Sequence, residues 1–205
     1  MRIVTLLLSA AAVAGVAQAA SAQDLFGTTT SFRGFRIEGN AGGDRFQSEG
    51  HHNDKFGYGG TAGFDGQIGD KIVVGAEGSY WRANKWTENN TGGVNGGNIA
   101  HKSFEEYGAA VRAGYLFTPN LLVFGKGGWV TNDQRKRFDA PVGETSFYNH
   151  TGTDGYQVGG GVEYTLPSFT GVPLPIYVNA QYVYSNYDDH TTRQRLMGGI
   201  GIRFK

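Results

Sequence analysis

The sequence predicts an all-β fold, an eight-stranded antiparallel up-and-down β-barrel that crosses a membrane. Three observations predict it: an export signal at the start, a series of segments in which side chains alternate with a period of two, and a closing segment that alternates most clearly. A period of two is typical of a strand, because successive side chains leave a pleated backbone on opposite sides.

The closing segment is residues 193–205. One face is apolar and comprises Leu196, Gly198, Ile200, Ile202 and Phe204, whereas the other face includes Arg195, Met197 and Arg203. A strand with hydrocarbon on one side and a polar interior on the other is the pattern of a transmembrane barrel. The remaining segments should then follow the same rule.

The chain starts with a basic residue, an apolar run and small residues before Gln23, which is the pattern of a signal peptide over residues 1–22. The alternative, a membrane-anchoring helix, requires about 20 apolar residues, more than the run provides. Residues 23–32 show no periodicity and are predicted to form a flexible leader, and residues 33–205 form the barrel domain. Cleavage of the signal peptide removes one of the 18 basic residues and leaves 17 against 18 acidic ones. The net charge of the mature chain therefore does not predict nucleic-acid binding.

The composition excludes other classes of protein. The absence of cysteine excludes a disulfide scaffold and a thiolate metal site. Glycine is abundant, 34 of 205 residues, but 13 % of the residues are aromatic, which argues against disorder. The mean hydropathy of −0.36 argues against a helical membrane protein but is compatible with a barrel.

Eight alternating segments follow the leader in order. The first two have Phe35 and Ile37, then Phe56 and Tyr58, on their apolar faces. The complete set is residues 34–43, 56–68, 72–80, 106–117, 121–132, 156–166, 176–185 and 193–205. All five prolines lie between these segments, as a closed hydrogen-bonded ladder requires.

The connections alternate between long and short. Long polar loops are predicted after the first, third, fifth and seventh strands, including residues 85–103 and 133–153. Outer-membrane barrels have short periplasmic turns and long extracellular loops. With that orientation the outward aromatic side chains form two girdles, one near each rim.

The segments RGFRIEGNAGG, YGGTAGFDGQIGDKIVVGAEGSY, YGAAVRAGYLFTPNLLVFGKGGW and YQVGGGVEYTL resemble the small porin-family outer-membrane β-barrels of Gram-negative bacteria. That group includes opacity-type surface antigens and resembles the OmpA transmembrane domain. The resemblance implies location in the cell outer membrane and contact with its lipid and lipopolysaccharide. It also implies that Phe204, the last aromatic residue, serves as a signal for the outer-membrane assembly machinery, although Lys205 follows it.

The inward faces predict a polar network with four acidic and four basic residues. These are Arg36, Glu38, Asp65, Glu77, Arg112, Lys126, Glu163 and Arg203. An eight-stranded barrel is just wide enough for its side chains to fill, so these charges should pair across the lumen. Either they form a plug or they line a narrow gated pore; we favour the plug. A lipocalin would reverse the two faces and is excluded.

All five histidines are expected in the long loops, where converging imidazoles could bind a metal or haem. They are His51, His52, His101, His150 and His190. The alternative is that histidine is merely kept out of lipid-facing positions. A basic loop run, Arg135, Lys136 and Arg137, together with Arg33, Arg45 and Arg82 near strand ends, could contact lipopolysaccharide phosphates. The alternative is an ordinary run of solvated loop charges.

Ser185, Asp188, Asp189 and His190 have residue types suited to hydrolysis, but no spacing fixes a nucleophile beside a base. We therefore predict no enzyme and no cofactor. The predicted function is structural or surface interaction by a monomer: membrane integrity, adhesion or host contact through four extracellular loops. The alternatives are a small passive channel and capture of haem or metal by the loop histidines.

Overall fold

The computed structural model describes residues 32–48, 50–84, 87–92, 97–141, 145–166, 176–188 and 190–204. The predicted signal peptide and almost all of the predicted leader lie outside these residues. The described chain forms nine strands: β1 Gly34–Ser48, β2 His51–Ile68, β3 Ile72–Ala83, β4 Thr87–Gly92, β5 Asn98–Thr118, β6 Leu121–Asp139, β7 Phe147–Thr165, β8 Ile176–Tyr187 and β9 Thr192–Phe204. No helix in this part of the chain is long and apolar enough to span a membrane.

Eight of the strands close into an antiparallel barrel, which confirms the predicted fold. Each of these strands pairs with its neighbour, and β1 pairs with β9 from Phe35 opposite Phe204 to Gln47 opposite Thr192. Strand β3 pairs directly with β5. The short β4 pairs with β5 beyond the point where β3 ends and is an addition to the barrel.

The strands extend well beyond the predicted loop boundaries. The β1–β2 ladder continues to Ser48 opposite His51, and the β6–β7 ladder continues to Phe138 opposite Phe147. The prediction of long loops over residues 85–103 and 133–153 was therefore wrong for much of their length. Apolar and polar side chains alternate in the sequence only where one face of the strand contacts hydrocarbon. The backbone hydrogen bonds between strands do not depend on that contact and continue beyond it.

Two of the connections at what we call the inner end, which carries Phe204, are tight turns. There β2 and β3 are joined by residues 69–71, with Gly69 at φ +61°. At the opposite, outer end β1 and β2 are joined by residues 49–50, with Gly50 at φ +77°. Glycine suits both positions because it has no Cβ to clash at positive φ.

The outer surface of the barrel is apolar and bears two aromatic girdles. The exposed aromatic side chains near the inner end are Phe35, Tyr115, Phe117, Tyr164 and Phe204. Those nearer the outer end are Tyr58, Tyr107, Trp129, Tyr156 and Tyr182. Aliphatic side chains between the girdles are exposed as well; Val111 is 65 % and Ile200 is 60 % exposed. Such a surface is stable when hydrocarbon covers it.

Candidate functional site: the lumen and the outer sheet

All eight residues of the polar network predicted from the sequence face the barrel interior, and each is at most 9 % exposed. We call them the inner layer. Seven of the eight barrel strands contribute a charged side chain to it, and β8 contributes Tyr177 and Asn179. The layer therefore spans the whole cross-section of the lumen.

Asp65 is at the centre of the inner layer because three arginines converge on its carboxylate. Its Oδ2 atom accepts hydrogen bonds from Arg112 Nη2 at 3.0 Å and from Arg203 Nη2 at 2.8 Å. Arg36 Nε lies 3.2 Å from the same oxygen. A single acid thus joins arginines from β1, β5 and β9.

The other inner-layer acids each share two or more donors. Glu163 accepts hydrogen bonds from Arg112 at 3.0 Å and from Arg203 at 2.8 Å. Glu77 accepts from Lys126 Nζ at 2.7 Å and also pairs with Arg36. These shared contacts convert the four acids and four bases into one connected, neutral network.

Glu38 links this network to β8. It accepts hydrogen bonds from Arg36 Nη1 at 3.0 Å, from the Tyr177 hydroxyl at 2.9 Å and from Asn179 Nδ2 at 3.2 Å. The Tyr177 ring can cross the lumen because Gly201 lies against it: a Cβ at Gly201 would overlap the ring.

An apolar cluster closes the lumen on the inner side of this layer. We call it the inner seal; its members are Phe32, Val73, Leu116, Leu122 and Phe124. Phe32 is fully buried, and its ring lies 5.1 Å from the Arg203 guanidinium. The sequence analysis placed Phe32 in the leader because no alternation precedes Gly34, yet its ring is part of the barrel interior.

A second group of charges, which we call the outer layer, lies nearer the outer end. It comprises Asp44, Glu106, Arg193 and Arg195, all at most 3 % exposed. Arg193 donates to Asp44 from Nε at 2.9 Å and from Nη2 at 2.7 Å, and Trp81 Nε1 donates to Asp44 at 2.9 Å. Arg195 Nη1 lies 2.6 Å from Glu106, which also accepts a hydrogen bond from Tyr187.

A β-bulge at residues 104–105 of β5 helps to build the outer layer. Two residues there face one residue of β6, which leaves backbone carbonyls off the ladder. Asn132 Nδ2 donates to the Glu105 carbonyl at 2.9 Å, and Arg193 Nη1 donates to the Phe104 carbonyl at 3.4 Å. The carbonyls freed by the bulge are thus satisfied by side chains in the lumen.

The sequence analysis missed Asp44 and Arg193 as lumen residues. Asp44 continues the inward positions of Arg36, Glu38 and Asn40 on β1 at the same spacing of two, but the strand was predicted to end at Gly43. Extending that periodicity by one strand position would have found it.

Between the two layers the lumen holds a cavity of only about 10 Å³. Its lining includes Asn40, Lys126, Gln157 and Arg195. That volume corresponds to about one water molecule. Two neutral charged layers and the inner seal therefore fill the lumen at these three levels of the described barrel.

The histidines do not form the loop cluster expected from the sequence. His51, His52, His101 and His150 belong to strands, and only His190 lies in a connection, with φ +64°. His101 is buried in the lumen, where its Nε2 lies 2.6 Å from Gln134 Oε1. Among the described residues no three His, Asp or Glu side chains are placed to hold a metal ion.

The residue types suited to hydrolysis are separated by burial. Ser185 is fully buried, and its Oγ accepts a hydrogen bond from Arg195 Nη2 at 3.0 Å, whereas His190 is exposed. Asp189 lies outside the described residues. The partner of the Ser185 hydroxyl is therefore a guanidinium rather than an imidazole.

The outer parts of β5 and β6 present cations on their outward face. Lys102 is directly opposite Arg135 in the ladder, and Arg137 follows two positions further along β6. We call these three residues the basic row. The Arg135 guanidinium lies 5.8 Å from the Tyr148 ring, and Arg137 pairs with Asp139 at 2.7 Å. Acidic residues adjoin the row as well, because Glu88 is opposite Lys102 in the β4–β5 ladder and Asp133 lies two positions before Arg135 on β6.

The other basic residues predicted near the rims have different surroundings. Arg45 pairs with Asp54 at 2.7 Å, and Arg82 lies 3.7 Å from Glu105. Arg33 immediately precedes β1 at the inner end, whereas the rest lie toward the outer end. At that inner end Phe204 faces outward, with its ring 6.1 Å from that of Phe35.

An apolar belt with two aromatic girdles around a charged, closed interior defines an integral membrane β-barrel. A family model described as "Outer membrane protein beta-barrel domain" matches residues 7–204. The chain therefore belongs to the outer-membrane β-barrel family, and it is a protein of the Gram-negative outer membrane.

Comparison with solved structures supports the fold. The structure is similar to Ail, the attachment invasion locus protein of Yersinia pestis, in complex with the heparin analogue sucrose octasulfate. The TM-score is 0.54 and the identity 17 %, over 84 % of this chain and 99 % of that one. Neisserial surface protein A also matches, with a TM-score of 0.49 and 14 % identity over 83 % and 97 % of the two chains. A comparison with curated proteins finds no significant match.

In this family short turns face the periplasm and long connections face outward. With that orientation the inner end is periplasmic, the outer end is extracellular, and Arg33 lies at the end away from the lipopolysaccharide leaflet.

Proposed function

We propose that this protein is a non-conducting outer-membrane barrel that acts through its extracellular surface, as a structural and surface-interaction protein. The observation that carries the proposal is the closed lumen: two neutral charged layers and the inner seal leave no continuous path. A passive channel would require both layers to separate. We assign no catalytic role.

The remaining sequence expectations belong to this proposal. Residues 1–22 act as the signal peptide, and the barrel domain begins after a short leader. Phe204 serves as the assembly signal, which its outward position at the periplasmic end makes accessible. The folded protein is a monomer surrounded by lipid and lipopolysaccharide.

We further propose that the basic row binds polyanionic saccharides at the cell surface. Lys102, Arg135 and Arg137 lie side by side beyond the outer girdle, on an outward face that neighbouring strands hold flat. Sulfate groups form strong charge-assisted hydrogen bonds with guanidinium groups. The heparin analogue bound by Ail supplies a suitable probe for this chain.

The test is titration calorimetry of the folded barrel in detergent with sucrose octasulfate. A Lys102→Gln/Arg135→Gln/Arg137→Gln variant should bind at least tenfold more weakly than the wild-type chain, and wild-type affinity should fall as salt rises. The matched control replaces Arg45 and Asp54, an exposed ion pair elsewhere on the outer surface, by Gln and Asn. Equal affinity of the triple variant and the wild type would overturn the saccharide proposal.

A further inference from the structure

A groove of about 320 Å³ lies in the outward face of the barrel, where β8, β9, β1 and β2 run side by side. Its lining includes Gly43, Arg45, Asp54, Tyr182, Gln194 and Leu196. Neither the lumen nor the basic row includes these side chains. The groove is therefore a separate feature of the surface.

The groove exists because Gly43 has no side chain. Gly43 is directly opposite Leu196 on β9 and Phe56 on β2, and the apolar side chains of both neighbours are exposed. A Cβ placed at Gly43 would meet no atom within 4 Å. The side chains of the neighbouring strands thus surround an empty space above the Gly43 backbone.

One side of the groove is polar and already organised. Arg45 donates to both carboxylate oxygens of Asp54, from Nε at 2.7 Å and from Nη2 at 2.8 Å. The Tyr182 hydroxyl donates to Gln194 Oε1 at 3.0 Å. The hydrogen bond from Arg45 lowers the pKa of Asp54, so the carboxylate stays ionised under mildly acidic conditions.

The Arg45–Asp54 pair presents donors and acceptors next to each other, and Asp44 and Lys55 complete the charged part of the lining. Arg45 Nη1 and the further lone pairs of Asp54 are directed away from their mutual hydrogen bonds. Adjacent donors and acceptors beside an aromatic ring suit the hydroxyl groups and the apolar face of a sugar.

The position of the groove restricts the occupant further. Tyr182 belongs to the outer girdle, and Leu196, which is 68 % exposed, lies on the lipid-facing surface of β9 above Ile200. The Arg45–Asp54 pair lies two residues further out on the strands than Gly43 and Phe56. The groove therefore crosses the boundary between hydrocarbon and the headgroup region of the outer leaflet.

We propose that this groove binds the acylated sugar headgroup of an outer-leaflet glycolipid. The sugar contacts Arg45, Asp54 and Tyr182, and an acyl chain packs against Leu196. The inference rests on the proposed contact with outer-leaflet lipid and gives that contact a defined site. It is independent of the saccharide site on the basic row.

The test uses the full barrel released from bilayers that contain equal amounts of lipid A and phosphatidylglycerol, with bound lipid counted by native mass spectrometry. Gly43→Leu should fill the groove without a clash and lower lipid A retention at least fivefold. Gly39→Leu is the matched control: it lies on the same face of β1, about 13 Å along the strand, and its Cβ would also meet nothing within 4 Å.

A double variant tests the sugar contacts. Arg45→Gln/Asp54→Asn should lower lipid A retention, whereas phosphatidylglycerol retention, counted in the same spectra, should stay unchanged. Equal retention by Gly43→Leu and Gly39→Leu would overturn the proposal, as would wild-type retention of phosphatidylglycerol equal to that of lipid A. Sucrose octasulfate binding should be the same in both glycine variants, which separates this test from that of the basic row.

Discussion

The inner and outer layers of the lumen satisfy their buried charges in different ways. In the inner layer the acids share their bases, and Asp65 alone contacts three arginines. In the outer layer the charges form two separate pairs supported by neutral donors, such as Trp81 to Asp44 and Tyr187 to Glu106. Both layers are electrically neutral, but only the inner one depends on a single shared acid.

This difference predicts how each layer responds to the loss of one charge. A buried ion whose partner is removed retains its desolvation cost without compensation. In the inner layer three buried arginines each lose one of their acidic contacts together, whereas in the outer layer a single remaining ion keeps a neutral donor. Measurements of unfolding in lipid vesicles can distinguish the two cases.

The largest effect is expected for Asp65→Asn. Three arginines lose their shared negative charge, and the variant should lose about 3–5 kcal/mol of unfolding free energy. Equilibrium urea titration of the barrel in vesicles measures the loss. A change below about 1 kcal/mol would mean that the inner-layer charges are compensated by water rather than by one another.

Ile200→Arg measures the cost of a charge on the lipid-facing side of the barrel, for comparison with the charges on its inward side. Ile200 is opposite Gly39 and faces lipid at the depth of the inner layer. The substitution should cost about 2–4 kcal/mol if this depth is near the midplane. Tolerance of the charge, shown by an unchanged urea midpoint in vesicles, would contradict burial of this face in hydrocarbon.

Arg193→Met should have an intermediate effect. Asp44 loses its hydrogen bonds from Arg193 Nε and Nη2 but keeps the one from Trp81 Nε1, so we expect a loss of about 1.5–3 kcal/mol. The same urea titration tests this, and the double variant with Trp81→Phe supplies the sharper comparison. If Arg193→Met costs as much as Asp65→Asn, the neutral donor does not moderate the loss.

The smallest effect is expected for Arg137→Gln. Its ion pair with Asp139 is exposed, with side chains 53 % and 46 % accessible, so the loss should stay below about 1 kcal/mol. This variant measures what an ion pair contributes outside the lumen. If Arg137→Gln lowered the unfolding free energy as much as Arg193→Met does, buried and exposed ion pairs would contribute equally to the stability of this protein.

The fold and the inner layer could be predicted from sequence because lipid imposes a strict pattern on the outward positions. Apolar residues such as Phe35, Ile37 and Ile200 mark the positions that contact hydrocarbon, so the positions between them must face inward. Arg36 and Arg203 were identified as inward residues in this way. Alternation on each strand was enough to name the inner layer without any knowledge of pairing.

The outer layer and the strand extensions could not be predicted in the same way. Beyond the girdles both faces of a strand tolerate polar side chains, so Asp44 and His101 fell outside the predicted strands, and Arg193, the first residue of the predicted closing strand, was not recognised as a lumen charge. The basic row depends on register as well: only the pairing of β5 with β6 brings Lys102 opposite Arg135. The groove depends on register between β9 and β1, which the sequence does not reveal.

The central claim is that the lumen is closed, and single-channel recording in a planar bilayer tests it most directly. The folded wild-type barrel should pass no current, while Arg112→Ala, which removes a base shared by Asp65 and Glu163, provides the comparison with a loosened inner layer. Stable, reproducible conductance from the wild-type barrel would contradict a closed lumen and establish a channel.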